Sequence, residues 1–458
     1  MRFSLTNIGK IAQADIEING LTVLGGYNDI GKSTIGKMIF SIVKSISNAE
    51  QAVTEEKIEQ VGEEITVFYM QIRKMTGTRF GLPSVVDGEQ GKIKRQVHLF
   101  EKIAYSVDTM RKGLRFMLGE QQDIRENLTL HLGRIREELR LVNASDMFVS
   151  AEDDVVIIEL DNLLNLLENR IAEIFNPEKN ESYKKTFNYV NQSLFRGDIQ
   201  NVNASTNESK VSSADGYCKI DTVLENGNAK SFSIEGDFPF RDVTLVDSPL
   251  VLGWSPFVLG WSSPVRVSRN RAKSIFGYYV FDLLNKIQYS TLDSYSAVSD
   301  IQKEFVNKID RIIGGQMYYD RKEKDFVFKQ EKMTVKPVNI ASGIKTFGII
   351  QMLLTSGTIV ANTVLIIDEP EAHLHPEWQL KYAEVITQLV DMGVYVLVST
   401  HSPYMIEALK HYSEKLEQEK ITNFYLGSAG EHGTVFSDVT QDLNPLFELL
   451  AKPMRKLL

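Results

Sequence analysis

The strongest constraint on what this chain can fold into is the run Gly26-Tyr27-Asn28-Asp29-Ile30-Gly31-Lys32-Ser33. Two glycines with four residues between them, followed by Lys-Ser, let a loop curl so that successive backbone N–H groups point inward at an anion. Lys32 can then reach the β- and γ-oxygens of a nucleoside triphosphate, and the Ser33 hydroxyl can ligate Mg²⁺. The flanks agree. Leu21-Thr22-Val23-Leu24 reads as a short buried strand, and Ile35, Met38, Ile39, Ile42, Val43 and Ile46 recur at helical spacing. A phosphate would therefore sit on the N-terminus of an amphipathic helix. The expected nucleotide contacts are Gly26, Asn28, Gly31, Lys32, Ser33 and Thr34.

A phosphate loop alone does not say which nucleotidase it serves. The discriminating residues lie far downstream, where Thr363-Val364-Leu365-Ile366-Ile367 is an apolar run ending in Asp368-Glu369. Such a run suits a strand buried on both faces of a parallel sheet, whose carboxyl end is where ligand chemistry belongs. Asp368 is placed to hold Mg²⁺ through its water shell, and Glu369 to take a proton from the attacking water. A second buried strand, Val394 to Ser399, leads into Thr400-His401-Ser402-Pro403, so His401 can reach a γ-phosphate or orient water. Ser342, just before the apolar helix Ile344 to Leu354, is expected to cap that helix and, with Gly343, to offer an anion site. Because the phosphate loop already owns a phosphate, Ser342 is expected to serve a nucleotide held by another subunit. The pair His373 and His375 lacks a third ligand at a fitting spacing and does not make a zinc site.

Between these halves the pattern from about residue 50 to 215 is mostly helical, with a stripe at Val156, Leu160, Leu163, Leu164, Leu167, Ile171 and Ile174 that suits a bundle core. Asn201 to Asp215 is poor in apolar residues and reads as a mobile loop. Hairpins are expected around Asn226-Gly227 and after Gly314-Gly315. Val251-Leu252-Gly253-Trp254-Ser255 recurs at Val258 to Ser262, too few copies for a solenoid. With 458 residues the chain has room for two or three domains. The expected division is residues 1–47 and 336–458 for the two parts of a nucleotide-binding unit, 48–215 for a helical insertion and 216–335 for hairpins and helices completing both. A net charge of −9 argues against an electropositive nucleic-acid binder. The basic clusters Lys92-Ile93-Lys94-Arg95 and Arg266, Arg269, Arg271 and Lys273 read first as solvated faces. One cysteine, Cys218, and no long apolar run point to a cytoplasmic protein without disulfides or membrane spans.

These residues resemble the ATPase heads of the ATP-binding-cassette class, in the SMC/Rad50/OLD branch. The resemblance covers about 1–47 and 336–428. Gly26 to Ser33 matches that class's Walker A motif, Val364 to Glu369 its Walker B, Pro370 to Pro376 its D-loop and His401 its switch histidine. Ala341-Ser-Gly-Ile-Lys345 keeps only Ser-Gly of the signature LSGGQ, and the Q-loop glutamine falls on either Gln51 or Gln71. The wording Asp368-Glu-Pro-Glu-Ala-His-Leu-His-Pro376 with Ser399-Thr-His-Ser-Pro403 looks most like the stand-alone ATPases of bacterial anti-phage systems such as Septu and PARIS. The resemblance implies an α/β fold, an ABC-type head of mixed core sheet and antiparallel edge sheet carrying a helical insertion. It also implies ATP and Mg²⁺, a homodimer or dimer-based oligomer with composite ATP sites, a separate nuclease effector, and DNA or a phage product as trigger. The stretch after His401 is shorter than the Toprim nuclease domain of OLD proteins, which places any cutting activity on another chain. The alternative is an SMC-like DNA-clamping or repair ATPase, against which residues 50–335 lack long antiparallel heptads.

Overall fold

The computed structural model describes residues 1–47, 60–72, 128–137, 151–175, 179–201, 208–258, 276–294, 299–331 and 333–455, with single residues at 74, 103, 107, 140 and 203. Two compact units emerge: one from Met1–Ser47 with Tyr183–Leu458, the other from Asn48–Ser182.

The first unit is built on three opening strands, β1 (Arg2–Ile8), β2 (Ile11–Glu17) and β3 (Leu21–Gly25), and the helix that β3 feeds, α1 (Lys32–Ser47). Helix α2 (Ala151–Phe175) belongs to the second unit; α3 (Lys179–Phe195), most of it in the first, precedes the meander β4 (Ser209–Ala214), β5 (Cys218–Glu225), β6 (Asn228–Gly236) and the strand β7 (Asp242–Val246). There follow α4 (Tyr278–Ile287) and α5 (Asp300–Ile313) and a small sheet of β8 (Gln316–Asp320), β9 (Asp325–Gln330) and β10 (Met333–Val335). The remainder alternates: α6 (Ser342–Thr355), β11 (Thr363–Asp368), α7 (Pro376–Asp391), β12 (Tyr395–Thr400), α8 (Pro403–Lys415), β13 (Thr422–Gly430), β14 (Gly433–Asp438) and α9 (Asn444–Arg455).

Eleven of these strands form one sheet in the order β6-β5-β4-β1-β2-β14-β13-β3-β12-β11-β7. The half from β13 to β7 is parallel throughout. The half from β6 to β2 is antiparallel. This is the expected α/β architecture of parallel core and antiparallel edge. Strand alternation assigns the helices to faces. Val364, Ile366 and Leu397 point into the core that holds Ile35, Met38, Ile39, Ile42 and Val43 of α1. Their neighbours Leu365, Ile367, Val396 and Val398 point into the other core, with Phe347 and Ile350 of α6 and Tyr382 and Ile386 of α7. Helices α1 and α6 therefore lie on opposite faces of the parallel strands.

Both expected hairpins form, the first on a turn in which Asn226 and Gly227 have φ of 52° and 80°. The segment read as a mobile loop contains a strand instead. Ser209, Val211 and Ser213 of β4 point inward, and the two serine hydroxyls donate to the carbonyls of Asn7 and Arg2, each at 2.8 Å. Hydroxyls satisfied by the neighbouring strand let a polar sequence occupy a buried face.

The second unit contains helical segments at 60–72 and 128–137 and all of α2. Its core joins Val61, Ile65, Phe68 and Ile72 to Leu128, Leu132 and Ile135 and to Leu160, Leu164, Leu167 and Ile171. The apolar stripe of α2 is thus bundle core. Arg136 crosses to Glu168 at 2.6 Å and Asp161 at 3.5 Å. The cluster Lys92 to Arg95, the cluster Arg266 to Lys273, Gln51 and most of the second Val-Leu-Gly-Trp-Ser copy lie outside the described residues. The first copy forms a buried turn at Val251 and Leu252.

Candidate functional site: a phosphate cradle facing three carboxylates

The cradle is the turn between β3 and α1. Gly26 and Gly31 have φ of 142° and 93°. A Cβ on Gly26 would come within 2.3 Å of the Ile30 side chain, and one on Gly31 within 2.8 Å of Ile11, so only glycine fits either position. Lys32 is 5% exposed and donates from Nζ to the carbonyls of Gly26 at 3.0 Å and Tyr27 at 2.8 Å. Those bonds hold the ammonium under the loop. Burial lowers its pKa, and the fields of Glu369, Asp368 and Glu371 oppose that shift. Asn28 and Asp29 are exposed, while Ser33 and Thr34 are half-buried in the first turn of α1. Asp29 is ion-paired with Lys10 of the same chain.

The carboxylates arrive on neighbouring strands. Asp368 closes β11 opposite Ser399 of β12, whose hydroxyl donates to the Asp368 carboxylate and fixes it. Glu369 follows in the left-handed region at φ 45°, with its N–H on the Ser399 carbonyl at 2.9 Å. A non-glycine residue held there is strained, and the Glu369 side chain is 37% exposed. His401 lies just past β12, its Nδ1 3.6 Å from Glu369 Oε1 and 3.2 Å from Glu371 Oε1. Glu371 is a residue that the motif reading had not singled out. Its side chain is 4% exposed, and its Oε1 accepts the Thr400 hydroxyl and the His401 N–H, both at 2.7 Å. Glu371 therefore clamps the end of β12 and with it His401. Lys32, Asp368, Glu369 and His401 thus follow or close the carboxyl ends of the neighbouring strands β3, β11 and β12.

Ser342 departs from expectation. It does not cap α6: Ala341 occupies the N-cap without a side-chain bond, and Ser342 is the first helical residue. Its carbonyl accepts the Thr346 hydroxyl at 3.1 Å. Gly343 backs onto Trp378 and Leu374 closely enough that a Cβ would sit 3.1 Å from the indole. His375 caps α7 through Nδ1, receiving the Glu377 N–H. No group of three His, Cys, Asp or Glu side chains suited to a metal ion occurs among the described residues. Gln71 lies on the 60–72 helix of the second unit.

The Mg²⁺ implied by a phosphate loop fits the residues present. Ser33 and Asp368 offer hard oxygen donors, and the Ser399 hydroxyl orients the second of them.

Cradle and carboxylates define a nucleoside-triphosphate hydrolase. The model of a family described as AAA ATPase domain matches residues 1–406, and the chain belongs to that family. It is an ATP-hydrolysing enzyme. Among solved structures it is similar to the SMC head domain from Thermotoga maritima at 8% identity and a TM-score of 0.39, covering 96% of this chain and 98% of that one. It is also similar to an Smc head bound to the C-winged helix domain of ScpA, at 11% identity and a TM-score of 0.41 over 96% and 97% of the two chains. No curated protein sequence matches. Among the described residues no helix is long and apolar enough to cross a membrane.

Proposed function

We propose that this is an ABC-type ATPase in which two copies of the chain enclose ATP, and that the ATP-held assembly controls a separate nuclease effector in anti-phage defence. The observation that carries the two-copy reading is the placement of α1 and α6 on opposite faces of the parallel strands. A chain's own Ser342 then stands on the layer away from its phosphate helix, and a second copy is the natural source of a Ser342-Gly343 contact to the nucleotide.

In this reading Lys32 binds the β- and γ-phosphates and Ser33 and Asp368 hold Mg²⁺. Bound Mg²⁺ supplies neutralisation of the charge on the phosphate oxygens. Glu369, whose partly exposed carboxylate lies 3.6 Å from His401 Nδ1, accepts the proton of the attacking water. His401, fixed by Glu371, orients that water or the γ-phosphate. Binding energy that depends on the γ-phosphate is what shifts the chain between assembled and free states, and hydrolysis removes it. The defence assignment is supported by the wording of the Asp368–Pro376 and Ser399–Pro403 segments.

A salt titration of duplex-DNA binding with ATP present separates this reading from a DNA clamp. Weak binding with a shallow dependence on salt is expected of an acidic chain with net charge −9. Tight binding that falls steeply with salt favours the clamp instead. A gene for an HNH or Toprim nuclease beside this one is the matching genetic expectation.

A further inference from the structure

The phosphate loop is tied to the last helix, α9. The Tyr27 hydroxyl donates to the Leu449 carbonyl at 3.0 Å. Inside an α-helix that carbonyl would accept the N–H four residues on, and the residue four on from Leu449 is Pro453, which has none. The loop thus supplies a donor that the helix cannot supply for itself. The burial of α9 shows why the bond matters at that position. Leu443, just before the helix, and Leu446 are buried in the core, and a Cβ on Gly25 at the end of β3 would come within 2.3 Å of the Leu446 side chain. Further along, Leu449 and Leu450 are half-buried and Ala451 and Lys452 exposed. The first turn of α9 is therefore anchored by packing, and its second half is tied to the loop by Tyr27.

Tyr27 is also held through its backbone. Lys32 Nζ donates to the carbonyls of Gly26 at 3.0 Å and Tyr27 at 2.8 Å, which belong to the two peptide planes on either side of the Tyr27 Cα. An ammonium has three N–H donors. Two of them serve those carbonyls, and reaching a β- and a γ-oxygen takes two, so a bound triphosphate draws Lys32 off at least one plane. Either release frees Tyr27 to shift, and with it the bond that restrains the second half of α9.

We propose that Tyr27 and the Leu449 carbonyl form a latch, closed while Lys32 is bonded to the loop and opened by triphosphate binding, which releases the second half of α9. The inference rests on the ATP-binding reading of the cradle and adds to it an element that reports occupancy of the site. Coupling of this kind is reciprocal: a closed latch opposes the triphosphate by as much as the triphosphate opens the latch. A bond that merely braced the loop for nucleotide would act with the opposite sign, since its loss would weaken binding.

The test is a calorimetric titration of the wild type and Tyr27→Phe with a non-hydrolysable ATP analogue and Mg²⁺, together with hydrogen exchange across α9. Phe keeps the ring and removes the hydroxyl. Tyr27→Phe is expected to bind the analogue about twofold to tenfold more tightly, the range for one hydrogen bond, and to exchange faster in the second half of α9 before any nucleotide is added. In the wild type the analogue should produce the same faster exchange, and unchanged exchange there overturns the proposal. Equal or weaker affinity in Tyr27→Phe overturns it too, while leaving the ATPase reading intact. A wild type that binds no analogue overturns the reading beneath it. Should Tyr27→Phe fail to fold, Lys32→Ala decides, measured without nucleotide: exchange in the second half of α9 raised above the wild type supports the latch, and exchange equal to it overturns the latch.

Discussion

Glu369→Gln is expected to bind ATP as the wild type does and to hydrolyse it about a hundredfold to ten-thousandfold more slowly, the range for loss of a positioned general base. The reason is geometric. Asp368 is tied to Ser399 and lies in the sheet register, whereas the Glu369 side chain is partly exposed and its carboxylate is not hydrogen-bonded to another residue among those described. Gln keeps the shape and removes the basicity. The cradle is untouched, since Lys32 is held by the loop's own carbonyls at 3.0 and 2.8 Å. Affinity and single-turnover hydrolysis, measured separately, check the expectation. A variant that retains full hydrolysis would transfer the base role elsewhere, with Glu371 and His401 the nearest alternatives.

The second large effect concerns the floor under α1. Lys44 is fully buried and paired with Asp282 at 2.6 Å and Asp242 at 2.8 Å. Lys286 meets the same two carboxylates, each at 2.8 Å. Two cations and two anions balance, and they join α1, β7 and α4. Burial alone would lower the pKa of Lys44, but Asp282 and Asp242 outweigh it and raise it. Burial alone would raise Asp242, but Lys44 and Lys286 bring it down to about 2. Lys44→Met leaves an unbalanced carboxylate in the interior, a change that costs about 3–5 kcal/mol. At about 2 °C per kcal/mol the Tm falls by about 6 °C or more. Removing Asp282 as well, as Leu, should restore part of the loss. The folded pKa of Asp242 lies below its unfolded value of about 4. Its contribution is therefore full above about pH 4 and is lost as pH falls through about 2. The acid sensitivity of unfolding in that window should shrink in Lys44→Met. A Tm unchanged within 1–2 °C (about 1 kcal/mol or less by the same scaling) would contradict the account.

The cradle and the β11 carboxylates were legible because their signals are local: glycine spacing before Lys-Ser, and an apolar run ending in Asp-Glu. No local pattern reveals Ser399 and Glu371, which matter through partners 31 and 30 residues away in sequence. At β4 the reading failed because inward-facing serines look like loop residues until the carbonyls of Asn7 and Arg2 are seen to satisfy them. At Ser342 it failed by one position: the helix begins on the serine, so the hydroxyl is not used as a cap.

The central claim is that each ATP site is completed by a second copy of the chain, and mixing two inactive variants tests it directly. Lys32→Ala removes the lysine proposed to bind phosphate, and Ser342→Arg blocks the surface proposed to meet the other copy. If sites are composite, a mixed pair contains one site with an intact Lys32 from one chain and an intact Ser342 from the other. ATP hydrolysis should then appear on mixing although neither variant hydrolyses ATP alone. A mixture no more active than its two components would contradict the account.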